Sequence, residues 1–170
     1  MLHFIYAQPP LLIIFLMAAA LALWGCRAAK IHMTLHWQRG NLILSILMAI
    51  AILYTTILSR SEGNTGLVLT PFAALAAARQ QPELYREMLM NVFLFFPLGL
   101  TLSNALPRTW HRWLRISLTT LTGCILSAGI EYAQYRFALG MAETDDVICN
   151  TLGAFVGASS LLLAHAMEKH

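Results

Sequence analysis

Glu131, Gln134, Asp146 and Asn150 lie where one apolar run leaves for a turn and the next begins, within the stretch Ile130–Ala158. Asp145 adjoins them, and Asn91 stands near the start of an earlier apolar run. Charges beside membrane-length apolar helices are costly and mark functional sites unless they are paired. Glu131 and Gln134 are spaced i, i+3 and Asp146 and Asn150 i, i+4, so each pair shares a helix face. Several chemistries are open to such a set. Glu131 and Asp146 could act as acid and base, with burial raising one pKa, in an intramembrane enzyme. Carboxylate and amide oxygens could hold a hard divalent cation. Glu131 and Asp146 could instead be the charged centre of a binding pocket, with Asn91, Gln134 and Asn150 orienting a ligand. The structural alternative is a polar cluster that locks helices together, satisfied by Arg86, Arg136 and the amides.

Such residues need a scaffold, and composition says which kind. Hydrophobic residues make up 58% of the 170 and charged residues only 11%, with a mean hydropathy of +0.65. A soluble domain carries about 25% charged residues, so this chain is not solvated all round. The expectation is an all-α, polytopic transmembrane helix bundle forming one domain. The net charge of +3 is spread over loops, with no basic stripe, so no nucleic-acid partner is expected. Cys26, Cys124 and Cys149 lack metal-ligand spacing, and no metal or cofactor is called for. His32 and His36, spaced i, i+4, have no acidic or cysteine partner nearby and read as part of an interfacial basic loop.

Five apolar runs are long enough to span, at about 4–25, 41–58, 88–106, 116–135 and 147–167. The first lacks the positive flank of a cleavable signal and is expected to be retained. Between the second and third runs, LVLTPFAALAAA at 67–78 is too short to span and reads as a re-entrant or interfacial segment, or as a surface loop. Pro97 lies inside the third run and should kink it. Gly99, Gly153 and Gly157 offer sites of close helix approach, the latter two expected against the small residues Cys124, Ser127 and Ala128 of the fourth run. Lys and Arg number seven on one side (Arg27, Lys30, Arg39, Arg108, Arg112, Arg115, Lys169) and four on the other (Arg60, Arg79, Arg86, Arg136). The positive-inside rule places the seven in the cytoplasm. The amino terminus is then outside, the carboxyl terminus inside, and the polar residues gather at the outer leaflet.

NVFLFFPLG at 91–99, IEYAQ at 130–134 and DDVICNTLGAFVG at 145–157 resemble the VanZ-like family of small membrane proteins. LVLTPF at 67–72 resembles that family's apolar Pro-Phe segment ahead of its third helix. The resemblance covers about Leu67 to Gly157, with four motifs in order, and falls on Asn91, Pro97, Gly99, Glu131, Gln134, Asp146, Asn150, Gly153 and Gly157. The family's turn before the aspartate usually carries a base. Here that turn is GMAET, and Arg136 is the nearest base. The family is named for a protein associated with resistance to teicoplanin, a lipid-tailed glycopeptide, so the resemblance implies a fold and a phenotype rather than a reaction.

The expected protein is therefore one of the bacterial cytoplasmic membrane and cell envelope. Its binding residues would be Asn91, Glu131, Gln134, Arg136, Asp145, Asp146 and Asn150, facing a lipid-linked or amphiphilic ligand. Its helix-packing residues would be Pro97, Gly99, Gly153 and Gly157. Neither the ligand nor the oligomeric state follows from the sequence.

Overall fold

In a water-soluble helix the apolar stripe faces the core; here the pattern is inverted. The computed structural model describes residues 16–24, 35–60, 66–78 and 80–168. Helix α1, Leu35–Leu53, buries Asn41, Ser45 and Ile52 and turns Leu42, Ile43, Ile46, Leu47 and Ile50 outward. Helix α4, Arg112–Arg136, buries Thr119, Gly123, Ser127, Glu131 and Gln134 along one stripe, while Leu121, Ile125 and Tyr132 are exposed. On these two helices most buried positions are small or polar, with Ile52, Ile116 and Ile130 the large apolar exceptions, and the outward faces are mostly large and apolar. Such a surface is stable only against lipid, so this is a membrane protein.

Four stretches are long and apolar enough to cross a bilayer: Leu35–Leu58, Glu83–Ala105, Arg112–Arg136 and Thr144–Ala166. At about 1.5 Å per residue each is roughly 35 Å long, enough for a hydrocarbon core of about 30 Å. The expected first span, 4–25, falls mostly outside the described residues. Residues 16–24 are helical, and Met17 packs in a cluster with Met90, Phe96 and Leu100. Of the two spaced histidines, only His36 is among the described residues, on α1.

Helix α1 continues into a π-helical turn, Tyr54–Leu58. Next come strand β1 (Gly66–Val68) and the short helix α2 (Ala73–Ala77). Helix α3 runs Pro82–Ala105, unbroken through Pro97, followed by α4. Strand β2 (Met141–Glu143) leads directly into α5, Thr144–Ala158, and α6, Ser160–Glu168. Helix α3 thus begins at 82, ahead of the apolar run expected from 88, because Pro82 and Glu83 form a good first helical turn.

The all-helical expectation misses one detail. β1 and β2 pair in parallel, with Gly66 opposite Met141 and Val68 opposite Glu143. Parallel strands need a crossover connection, which α3 and α4 supply here. The small sheet ties the 67–78 segment to the turn that enters α5.

The bundle is centred on the crossing of α3 with α5. A Cβ added at Gly153 would lie 2.1 Å from the Val92 carbonyl oxygen, and one at Gly157 2.2 Å from that of Phe96. From the other side, a Cβ at Gly99 would come within 2.1 Å of the Ala154 carbonyl oxygen. The two backbones touch, as glycine alone permits. Gly153 and Gly157 therefore pack on the third span, not on the small-residue stripe of the fourth. That stripe instead meets Ala154, whose Cβ would lie 2.6 Å from one built at Gly123, and Asn150. Phe95, Ile52, Ile130 and Ala154 fill the remaining core where α1, α3, α4 and α5 converge.

Candidate functional site

The end of α1, the start of α3, the end of α4 and the start of α5 lie at one level, and their polar side chains interlock. Asn91 on α3 donates from Nδ2 to Asp146 Oδ1 at 2.6 Å, joining α3 to α5. Glu131, 7% exposed, accepts the backbone N–H of Glu143 on Oε2 at 3.0 Å, joining α4 to β2. Gln134 donates from Nε2 to the Thr56 carbonyl at 3.0 Å, within the π turn. A π turn alters the intrahelical ladder and is frequent at functional sites. Asn150 donates to Ser127 Oγ at 2.9 Å, joining α5 to α4.

Asp145 has a different task. Its carboxylate accepts the backbone N–H of Phe72 at 2.5 Å and of Ala74 at 2.7 Å. Phe72 has φ of 62°, a left-handed conformation costly for a bulky residue. The Asp145 carboxylate holds that turn in place and fastens the 67–78 segment to α5. Gln134 and Asn150 likewise spend their donors on helix-to-helix bonds. Their side-chain oxygens, buried in the protein, meet no donor among the described residues.

A cavity of about 470 Å³ lies between α1 with its π turn and α3. Apolar side chains including Ile52, Phe93, Leu94 and Pro97 form one part of its wall, and Thr55, Thr56, Ser59, Arg60 and Asn91 form the other. Its volume lies within the roughly 300–1,000 Å³ typical of ligand sites, and an apolar lining with a few convergent polar groups is their usual character. Pro97 has no N–H to give the Phe93 carbonyl, its i−4 neighbour, so proline leaves the carbonyl of that cavity residue without its helical donor. Of the expected binding residues, Asn91 lines the cavity itself, and Asp146 stands behind it through their shared hydrogen bond.

Arg136 is not the base of this site. It is exposed at the end of α4, with its guanidinium 6.0 Å from the Phe137 ring centre. The base whose charge acts on both Glu131 and Asp146 is Arg60. Its guanidinium lies over Gly140, where a Cβ would come 2.7 Å from the nearest Arg60 nitrogen. Arg60 was identifiable in the sequence as the base that closes the second apolar run on the carboxylate side; only its distance along the chain hid it.

Glu143, just outside the span, has its carboxyl pushed above the usual range by burial and by the negative charges of Asp145 and Glu87. Among the described residues no cluster of three or more His, Cys, Asp or Glu side chains could hold a metal ion. The carboxylates are instead held by backbone N–H groups and by Asn91.

These positions coincide with a known sequence family. The model of the VanZ/LLP1 family matches residues 41–165. The match reaches back into α1, beyond the motifs legible from Leu67 onward. Protein VanZ of Enterococcus faecium is 36% identical over 97 residues, covering 54% of this chain and 49% of that protein. The alignment thus spans about half the length of that relative. No solved structure matches this chain. With the family model covering most of the chain, and the inside-out helices and interlocked polar end in view, this membrane protein belongs to the VanZ/LLP1 family.

Proposed function

We propose that the protein binds a lipid-linked or amphiphilic molecule at the outer leaflet of the cytoplasmic membrane, and through it affects susceptibility to lipid-tailed glycopeptides such as teicoplanin. The observation that carries this reading is the cavity between α1 and α3, apolar along Ile52, Phe93, Leu94 and Pro97 and polar at Arg60 and Asn91. A hydrocarbon chain fits the first part and a polar head the second. Asp146 orients Asn91, Glu131 positions β2, and Arg60 balances their charge. The excess of Lys and Arg on the opposite loops supports the outward placement. The resemblance to the VanZ-like family, named for a protein associated with teicoplanin resistance, is what suggests the envelope phenotype.

The test compares cells expressing wild type, Asp146→Asn, Arg60→Gln and Leu94→Trp, with membrane levels checked by blot. The expected result is a teicoplanin tolerance present with wild type and lost with all three at equal protein level. Lipids co-purifying with wild type should also be depleted from Leu94→Trp, whose indole fills the cavity. Unchanged tolerance and unchanged lipid in Leu94→Trp would sink the reading.

A further inference from the structure

Three hydroxyls stand on the α1 wall of the cavity, those of Thr55, Thr56 and Ser59. A serine or threonine hydroxyl has one hydrogen to donate and two lone pairs with which to accept. Here each hydrogen is already committed to the backbone of the π turn. Thr55 Oγ1 donates to the Ala51 carbonyl at 2.9 Å and shares that hydrogen with the Ile52 carbonyl at 3.0 Å. Thr56 Oγ1 donates to the Ile52 carbonyl at 2.7 Å, and Ser59 Oγ to the Thr55 carbonyl at 2.9 Å. What these oxygens offer a ligand is therefore a lone pair. On the α3 wall, the Phe93 carbonyl lacks a helical donor because of Pro97. Asn91 commits one of its two amide hydrogens to Asp146. On the described wall the donors left for a ligand are thus the Arg60 guanidinium and one hydrogen of Asn91, and the other polar groups accept.

This asymmetry narrows the headgroup. A ligand that covers the acceptors without giving them hydrogens removes their water and leaves them unpaired, which is costly. A bare phosphate or carboxylate brings acceptors only, so it meets Arg60 and fails the hydroxyls. An ammonium group brings hydrogens but also a positive charge, which Arg60 on the same wall repels. An alcohol satisfies both sides, because its O–H donates to the wall while its oxygen accepts from Arg60 and Asn91. We propose that the lipid held between α1 and α3 carries a hydroxyl-rich headgroup, a sugar or polyol, whose O–H groups donate to Thr55, Thr56, Ser59 and the Phe93 carbonyl. This inference rests on the reading of that cavity as a lipid site. A site built to pair with hydroxyls also discriminates against the analogue that lacks them, because its own polar groups are then left unpaired.

The test measures dissociation constants of four lipids with identical acyl chains by native mass spectrometry of the purified protein in detergent. Phosphatidylglycerol and phosphatidylmethanol share one phosphate and its charge, and only the first has free hydroxyls. Glucosyl diacylglycerol has hydroxyls without charge, and phosphatidylethanolamine has an ammonium group. Wild type should bind the two hydroxyl-bearing lipids more tightly, by about fivefold for each hydrogen bond gained, which corresponds to about 1 kcal/mol. Leu94→Trp should abolish that binding. The ratio between phosphatidylglycerol and phosphatidylmethanol should shrink in Thr55→Val/Ser59→Ala, which removes two acceptors. Ser59→Ala alone, at an exposed position, gives the same readout should the double variant fail to fold. Tightest binding of phosphatidylethanolamine, or an unchanged ratio in the folded variants, overturns the proposal. Equal binding of all four lipids that Leu94→Trp abolishes also overturns it, while leaving the cavity a lipid site. Lipid binding that Leu94→Trp does not affect overturns both.

Discussion

At the scale of single residues, the polar end of the bundle shows how side chains of similar type come to do different work. Asp145 and Asp146 are adjacent in sequence, yet one secures a strained turn at Phe72 and the other holds the cavity residue Asn91. Adjacent helical positions point about 100° apart, so neighbours face different partners. Glu143 permits a pH test. Its raised pKa means ionisation costs more in the folded state than in the unfolded one. The stability due to its neutral form is therefore complete below the unfolded glutamate value of about 4.3, and is lost as pH rises through the folded value. Glu143→Gln removes the titrating group and keeps the backbone N–H that Glu131 accepts. Melting wild type and Glu143→Gln in detergent from pH 4 to pH 8 should show the variant gaining on wild type as pH rises. A constant difference across that range would refute the assignment.

At the scale of elements, the crossing of α3 with α5 decides whether the site forms at all, because it sets Asn91 against Asp146. Gly153→Ala and Gly157→Ala would force a Cβ against backbone oxygens that cannot rotate away. Overpacking typically costs about 1–3 kcal/mol, and separating two backbones belongs at the upper end. Gly129 on α4 has nothing within 4 Å of its Cβ position. Gly129→Ala should be neutral or gain up to about 1 kcal/mol of helix propensity. The yield of monodisperse protein after extraction should fall sharply for the first two variants and hold for the third. Equal yields would mean that close approach is not what organises the bundle.

At the scale of the whole molecule, the outward apolar faces define a membrane protein, and the loop charges define a proposed direction. With Cys26, Cys124 and Cys149 replaced by alanine, Gln80→Cys and Thr109→Cys place one thiol at each end of α3. A membrane-impermeant thiol reagent added to spheroplasts should label Gln80→Cys and spare Thr109→Cys until the membrane is permeabilised. The reverse pattern would place the carboxylate end in the cytoplasm and overturn the outer-leaflet reading.

What the sequence by itself determined is the class and the family. Low charge and long apolar runs demand lipid, and the motifs at Asn91, Glu131 and Asp146 are local in the chain. That these residues share one end also follows from counting spans, because each crossing reverses the side. The tertiary structure decided the partners. Strands of three residues are too short for a period-two pattern, so the β1–β2 pairing carried no signal. A G-x-x-x-G says that a backbone can come close but not which one, and here it is α3. Arg60 replaced Arg136 as the base because folding brings the end of α1 beside α4 and α5, a proximity across more than seventy residues that no local spacing encodes. The cavity, likewise, exists only once α1 and α3 stand side by side.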